Sequence, residues 1–275
     1  MKKLFSAFLF LTACHGVQPS QVAQELDLPE QTSVVGGKVV PAQHRLQQQA
    51  LSFKAFHSKF QVDTGEAIET RWKTTTCTAS ALTPRILITA AHCYREDADF
   101  HRVEFPIDGK IAPYKALKVI PHPDYPKDST ADLAIVLLEF ALPESVHLVT
   151  LPSTSPLSMK SILAAGYGRN DGRRNQPGGS GTLRAVILDI EKYEPTESTF
   201  TVEQRHGKGI CQGDSGGPGL VSIKGKDTVV GVVSKTLHLV SEAEDVDVCG
   251  YKGVYVNVQH FLDWIEPTVR DLKYE

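Results

Sequence analysis

Residues 211–219 read Cys211-Gln212-Gly213-Asp214-Ser215-Gly216-Gly217-Pro218-Gly219, small side chains packed around one hydroxyl. Two readings compete for this stretch. A glycine-rich run can be a flexible turn and nothing more. Glycines also let backbone N–H groups turn inward beside a nucleophile and stabilise charge that develops there. A serine hydroxyl alone is a poor nucleophile, so the second reading requires a base elsewhere in the chain.

The chain has 10 histidines, and one stands apart. His15, His57 and His206 lie in polar stretches, and His122 sits between prolines. His92 ends the run Leu87-Ile88-Thr89-Ala90-Ala91-His92-Cys93, after two alanines too small to block access. By itself it fits a structural histidine as well as a base. A base of this kind needs a carboxylate to hold its tautomer and stabilise the imidazolium. Asp132 enters the apolar run Leu133-Ala134-Ile135-Val136-Leu137-Leu138, where a charge needs a partner. Asp124 and Asp128, in PHPDYPKDST, are nearby rivals in what reads as a loop.

The surrounding chain is written in short apolar runs. Ile86–Thr89, Ala134–Leu138, Ala185–Leu188, Val229–Val233 and Val254–Val256 have strand length and β-branched enrichment. Only the tail has helical spacing, through Phe261, Leu262, Trp264, Ile265 and Val269, with a break expected at Pro267. Many strands and one terminal helix predict an all-β fold. Residues 152–160 read as a linker between two halves, and 170–181 as a mobile surface loop.

The chain is 275 residues long, 41% hydrophobic and 22% charged, which is ordinary globular composition. Its net charge of −3 and the lack of a long basic run argue against nucleic acid as a partner. Gly172–Arg174 and Lys224–Lys226 read as solvated loops. The start, MKKLFSAFLFLTACHG, joins two lysines to an apolar stretch shorter than the ~20 residues of a membrane span. It reads as an export signal over 1–13. Leu11-Thr12-Ala13-Cys14 resembles a bacterial lipoprotein lipobox, which implies acylation of Cys14 and membrane attachment; the alternative is an ordinary cleaved signal. Residues 14–33 then read as a polar tether or propeptide. Apart from Cys14 there are four cysteines, Cys77, Cys93, Cys211 and Cys249, an even number that suits an oxidising compartment. Their three possible pairings stay open on spacing alone. Gln31–Val40, QTSVVGGKVV, reads either as a strand broken by a Gly-Gly turn or as a site of cleavage before Val34.

TAAHC, DLAIVLL and CQGDSGGP, in that order, resemble the trypsin-like serine proteases of the chymotrypsin fold. Tyr167 in GYG, Ser234 in GVVS and the ending GVYVNVQHFLDWI add to the resemblance, which covers nearly everything from Val34 onward. It implies two six-stranded antiparallel β-barrels, over 34–151 and 161–258, with the site in the cleft between them and a C-terminal helix in 259–275. It implies His92 as general base, Asp132 as its orienting carboxylate, Ser215 as nucleophile, and the N–H groups of Gly213 and Ser215 as oxyanion hole. Ser234 would support Asp132, and its strand would pair with substrate. The resemblance pairs Cys77 with Cys93 and Cys211 with Cys249. It makes VVGG the point of zymogen cleavage, with the freed ammonium of Val34 paired to Asp214.

By the same resemblance Gly209, six residues before Ser215, lies at the base of the specificity pocket, where Ile210 makes the floor apolar and Thr236 and Gly253 form walls. No charge there meets Arg or Lys, so small or medium apolar side chains are expected. Glu242, Glu244, Asp245 and Asp247 are expected in solvent, or else reaching the pocket and restoring basic selectivity. The expected protein is an exported or lipid-anchored serine endopeptidase acting on peptides or proteins, monomeric, needing neither cofactor nor metal. A catalytically silent binding or adhesion protein on the same fold and an esterase with the same chemistry are the competing readings.

Overall fold

The computed structural model describes residue 35 and residues 37–64, 68–107, 109–153, 158–173, 178–205, 207–238 and 247–275. The expected signal and tether, Cys14, Ser33 and Val34 lie outside the described residues, as do Glu242, Glu244, Asp245 and part of the expected linker.

The chain is nearly all strand. A closed antiparallel barrel is formed by β2 (Ala50–Asp63), β3 (Ile68–Ala81), β4 (Ile86–Thr89), β5 (Phe100–Ile107), β6 (Lys110–Pro121) and β7 (Ala134–Leu138), in the order β2-β3-β4-β7-β6-β5. A second ring follows. It comprises β8 (Ser161–Gly166), β9 (Arg184–Lys192), β10 (Thr199–Glu203), β11 (Pro218–Ile223), β12 (Lys226–Leu237) and β13 (Lys252–Asn257). It runs β9-β10-β13-β12-β11-β8, and β8 closes it by pairing with β9. The short β1 (Lys38–Val39) adds to β9 from outside the ring. Closure leaves neither barrel an open sheet edge. This is the two-barrel architecture expected above.

Side-chain alternation makes two kinds of core. In β8, Ile162 and Ala164 point into the second barrel with Leu188, Phe200, Val202, Val230 and Tyr255. Leu163 and Ala165 point the other way, into a cluster shared with the first barrel's Leu51, Phe53, Ile88, Val103 and Leu137. That shared cluster clamps the barrels together, each fully buried aliphatic side chain contributing roughly 1.5–3 kcal/mol.

The tail differs from expectation at Pro267. The helix α1 (Leu262–Leu272) runs through it, and Leu262, Ile265, Val269 and Leu272 bury one stripe on the shared core. Proline removes one helical hydrogen bond, but the packed stripe outweighs that loss. His122 locks the first barrel to this helix, its ring edge-on to Phe261 at 5.1 Å and Trp264 at 4.7 Å. Among the described residues no helix is long and apolar enough to cross a membrane. The four cysteines pair as expected, Cys77 with Cys93 and Cys211 with Cys249. The described ends of the 170–181 segment are tied back rather than loose. Asn170 N–H donates to Gly178 O at 2.7 Å, and Arg173 forms a β-bridge with Asp247.

Candidate active site

Strand register brings His92 and Asp132 together. β4 and β7 are antiparallel, and Thr89 at the end of β4 faces Ala134 at the start of β7. The chain leaving β4 therefore runs beside the chain entering β7. A short 3-10 turn, Ala91–Cys93, lifts His92 over the barrel end. There Asp132 Oδ2 lies 2.7 Å from His92 Nδ1, and Asp132 Oδ1 accepts the His92 backbone N–H at 2.9 Å. The rival acids turn elsewhere: Asp128 caps Thr130, and Asp124 lies beside His122.

Asp132 is 3% exposed. Burial alone would raise its pKa, but hydrogen bonds from His92 and Ser234 more than offset that and hold it below the ordinary carboxylate value. An ionised carboxylate only accepts, so His92 donates from Nδ1, and in the neutral ring Nε2 is then the acceptor. Ser234 donates its hydroxyl to Asp132 Oδ2 at 2.6 Å from the second barrel. It can do so because β12 has a bulge there: Val233 pairs with Tyr255 and Lys235 with Val254, leaving Ser234 as the extra residue.

Ser215 is held between the barrels. Its carbonyl accepts the Thr78 N–H at 2.8 Å and lies 3.7 Å from Cys93 Sγ. The sulfurs of Cys77 and Cys93 and a ring nitrogen of His92 are within 4.8 Å of one another, so the bridge seats the serine loop beside the histidine. Both thiols are spent in that bridge, and this cluster is therefore no thiolate site for a metal. On the other side the loop is zipped to β12, with Gly216 N–H on Val233 O and Val233 N–H on Gly217 O. A Cβ at Gly216, whose φ is +79°, would lie inside 3.0 Å of Thr89 Oγ1, Thr78 O and Ala90 N. Only glycine lets the loop approach the first barrel this closely.

Gly213 takes φ +101°. Among the described residues its N–H and that of Ser215 find no protein acceptor, whereas those of Asp214, Gly216 and Gly217 all do. Two unpaired donors, one of them the half-exposed serine's own N–H, are groups that can hold an anionic oxygen.

Asp214 points away from the cleft. Its Oδ1 accepts Gly168 N–H and its Oδ2 accepts Cys211 N–H, each at 2.8 Å. Gly166 and Gly168 flank the carboxylate so closely that a Cβ on either would fall inside 3.0 Å of it. Burial pushes Asp214 up to about 6, against the pull of those N–H groups and of the buried Arg184. Val35, the residue after Val34, lies in the same region. Its carbonyl accepts Gly209 N–H at 2.8 Å, and its side chain packs on Val248 and the Cys211–Cys249 bridge.

Gly209, Ile210 and Gly253 are brought together, and Thr236 is the direct cross-strand partner of Gly253. Between Gly209 and Gly253 lies the side chain of Gln204, 1% exposed, where an apolar floor was expected. Asp247 does not arm this region with charge. Its Oδ1 accepts Cys249 N–H at 2.9 Å and crowds Gly172.

Thr78 is a hub that sequence reading missed. Its hydroxyl donates to Gly213 O at 3.1 Å and accepts Tyr167 N–H at 3.2 Å, and its carbonyl accepts the Thr89 hydroxyl at 2.8 Å. In TTTCTAS it looks like any β-branched strand residue. Thr78→Val strands both hydroxyl partners in a buried setting and should cost about 2 kcal/mol or more, read from the denaturant midpoint, with kcat falling as Gly213 loosens. Thr78→Ser, which keeps the hydroxyl, should recover most of both.

The Trypsin family profile matches residues 43–265. The chain is 30% identical over 207 residues to Trypsin V-B of Rattus norvegicus, covering 70% of this chain and 79% of that protein. It is 29% identical over 208 residues to Anionic trypsin of Bos taurus and 28% identical over 208 residues to Trypsin II-P29 of Gallus gallus, each again at 70% and 79% coverage.

Proposed function

The chain belongs to the trypsin family and is a trypsin-like serine endopeptidase, and from that premise we propose that Ser215, His92 and Asp132 carry its chemistry. Ser215 Oγ attacks the scissile carbonyl carbon while His92 Nε2 takes its proton. The carbonyl oxygen becomes an oxyanion held by the N–H groups of Gly213 and Ser215. Collapse expels the amine, which receives the proton from His92, and leaves an acyl-enzyme. Water then attacks that ester with His92 again as base, releasing the acid and restoring Ser215. The single observation that supports this most is the Asp132 carboxylate. It takes hydrogen bonds from the ring and backbone of His92 and from Ser234, which fixes the imidazole in the tautomer a base requires.

The protein is made as an exported precursor and cut before Val34, whose ammonium then pairs with Asp214. The seat of Val35 on Gly209 and the Cys211–Cys249 bridge supports this, because it holds the start of the cut chain close to the Asp214 loop. Acylation at Cys14 would tether it to a bacterial envelope. The residue before the cut is Ser33, not Arg or Lys. Among the described residues, a pocket framed by Gly209, Ile210, Thr236 and Gly253 carries no anion for a basic side chain and accepts small or medium apolar ones, so the enzyme cuts its own precursor. The test is covalent labelling by a fluorophosphonate together with N-terminal sequencing. Native protein should be labelled and begin at Val34, while Ser215→Ala should be unlabelled and keep its residues before Val34. Processed native protein that resists labelling would sink the enzymatic assignment, and normal processing of pure Ser215→Ala would sink self-activation.

A further inference from the structure

We infer that Gln204 is the floor of the specificity pocket and sets the enzyme's preference for a small side chain before the scissile bond. This deepens the pocket reading above and rests on it. Gln204 follows β10, where its N–H bonds Tyr251 O at 3.0 Å. Its side chain enters the space that the two pocket glycines leave vacant. A Cβ built on Gly209 would fall inside 3.0 Å of its Nε2, Cδ and Cγ, and a Cβ on Gly253 would do the same with its Oε1. Those are the two positions whose side chains would project into the base of the pocket. Glycine at both does not deepen it, because a third residue has moved in. Ile210 adds to the plug, its Cδ1 lying 3.0 Å from the same point beside Gly253.

The amide is locked. Nε2 donates to Ile210 O at 3.1 Å and to Cys249 O, and Oε1 accepts Ile210 N–H at 3.2 Å. Both amide protons are used, and the bonds tie together the two segments that the Cys211–Cys249 bridge already joins. Swinging Gln204 out to admit a long side chain would strand three buried backbone groups, so the floor is rigid. It is also neutral. The described acids nearby are committed elsewhere: Glu203 to the N–H groups of Gln204 and Arg205, Asp214 to Cys211 and Gly168, Asp247 to Cys249. A shallow, uncharged pocket suits Gly, Ala, Ser or Val before the scissile bond, and Ser33 at the proposed precursor junction is such a residue.

The experiment profiles processed enzyme, Gln204→Ala and Gln204→Asn on peptides differing only in the residue before the scissile bond, with fluorophosphonate titration counting active sites. Native enzyme should favour Ala over Leu and Phe. Gln204→Ala should raise the Leu/Ala ratio of kcat/KM by ~10-fold or more, since each methylene a pocket can accommodate is worth about that much. Gln204→Asn should move it the same way by less. Labelled variants with the native profile would overturn the inference while leaving the endopeptidase reading intact, and native enzyme that fails to label would instead overturn that reading. Loss of labelling in both variants would also overturn the inference, because it would assign Gln204 to holding the nucleophile loop.

Discussion

Ser215→Ala and His92→Ala are each expected to lower kcat about 10⁶-fold, and the double variant is expected to be no worse than either. The nucleophile and base act as one device. Without His92 the Ser215 hydroxyl has no acceptor for its proton, and without Ser215 the histidine has nothing to deprotonate. Asp132→Asn should cost less, about 10⁴-fold. An asparagine presenting its amide N–H₂ to Nδ1 forces the proton onto Nε2, the wrong tautomer, yet keeps the ring in place. Its carbonyl can still accept only some of the three hydrogen bonds that Asp132 now takes from His92 and Ser234. Stability should barely move in Ser215→Ala, because the contacts that hold the loop run through the Ser215 carbonyl and not its hydroxyl. Steady-state kinetics alongside thermal unfolding check all four variants. Additive losses in the double variant, or a Ser215→Ala protein with substantial turnover, would show that the chemistry lies elsewhere.

Several elements of this site could be read from the chain because their chemistry is local. The runs Ile86–Thr89 and Ala134–Leu138 are strands within those same limits, buried along their whole length. Before the resemblance, the residues left Asp124 and Asp128 as rivals of Asp132; the β4–β7 register is what brings Asp132 to 2.7 Å from His92 Nδ1, a fact about two strands and not about either. Other features depend wholly on what folds against them. The hairpin of β2 and β3 runs 14 residues on each side, and its outer half is mostly exposed, Phe60 and Ile68 included, so burial does not dictate it. What supports it is a ring cluster: Phe100 stacks on Phe56 at 4.6 Å and meets Trp72 edge-on at 5.2 Å, with Lys59 over Trp72. Gln204 lies in VEQRHGKG, which reads as a polar loop. Its burial follows from two glycines, one five and one 49 positions further on, that leave room for it. Residue type alone carries no trace of a cavity formed by absent side chains elsewhere.

Asp214→Asn in the cut chain is expected to lower kcat/KM about 10²–10³-fold, the equivalent of the roughly 3–5 kcal/mol lost when one partner leaves a buried ion pair. In the uncut chain the buried Asp214 has its pKa pushed up to about 6, from 3.8. The folded state therefore binds this proton more tightly than the unfolded one. Its stabilising contribution is complete below the unfolded value and is lost as pH rises through about 6, roughly 3 kcal/mol in all. At neutral pH the uncut protein thus holds a buried anion beneath the Gly213–Ser215 loop, offset among the described residues only in part by Arg184 and two N–H groups. On the proposed activation, cleavage before Val34 would supply an ammonium whose pairing would draw the Asp214 pKa down again, remove the penalty and hold the Gly213–Ser215 backbone in place. The midpoint of thermal unfolding should accordingly fall between pH 4 and pH 7 for the uncut chain and stay level for the cut one. In the uncut chain Asp214→Asn should abolish that slope, which separates the charge from the two backbone hydrogen bonds the carboxylate also accepts. A cut Asp214→Asn enzyme with near-native kcat/KM, or identical pH profiles for the cut and uncut proteins, would show that the new N-terminus does not act through this carboxylate.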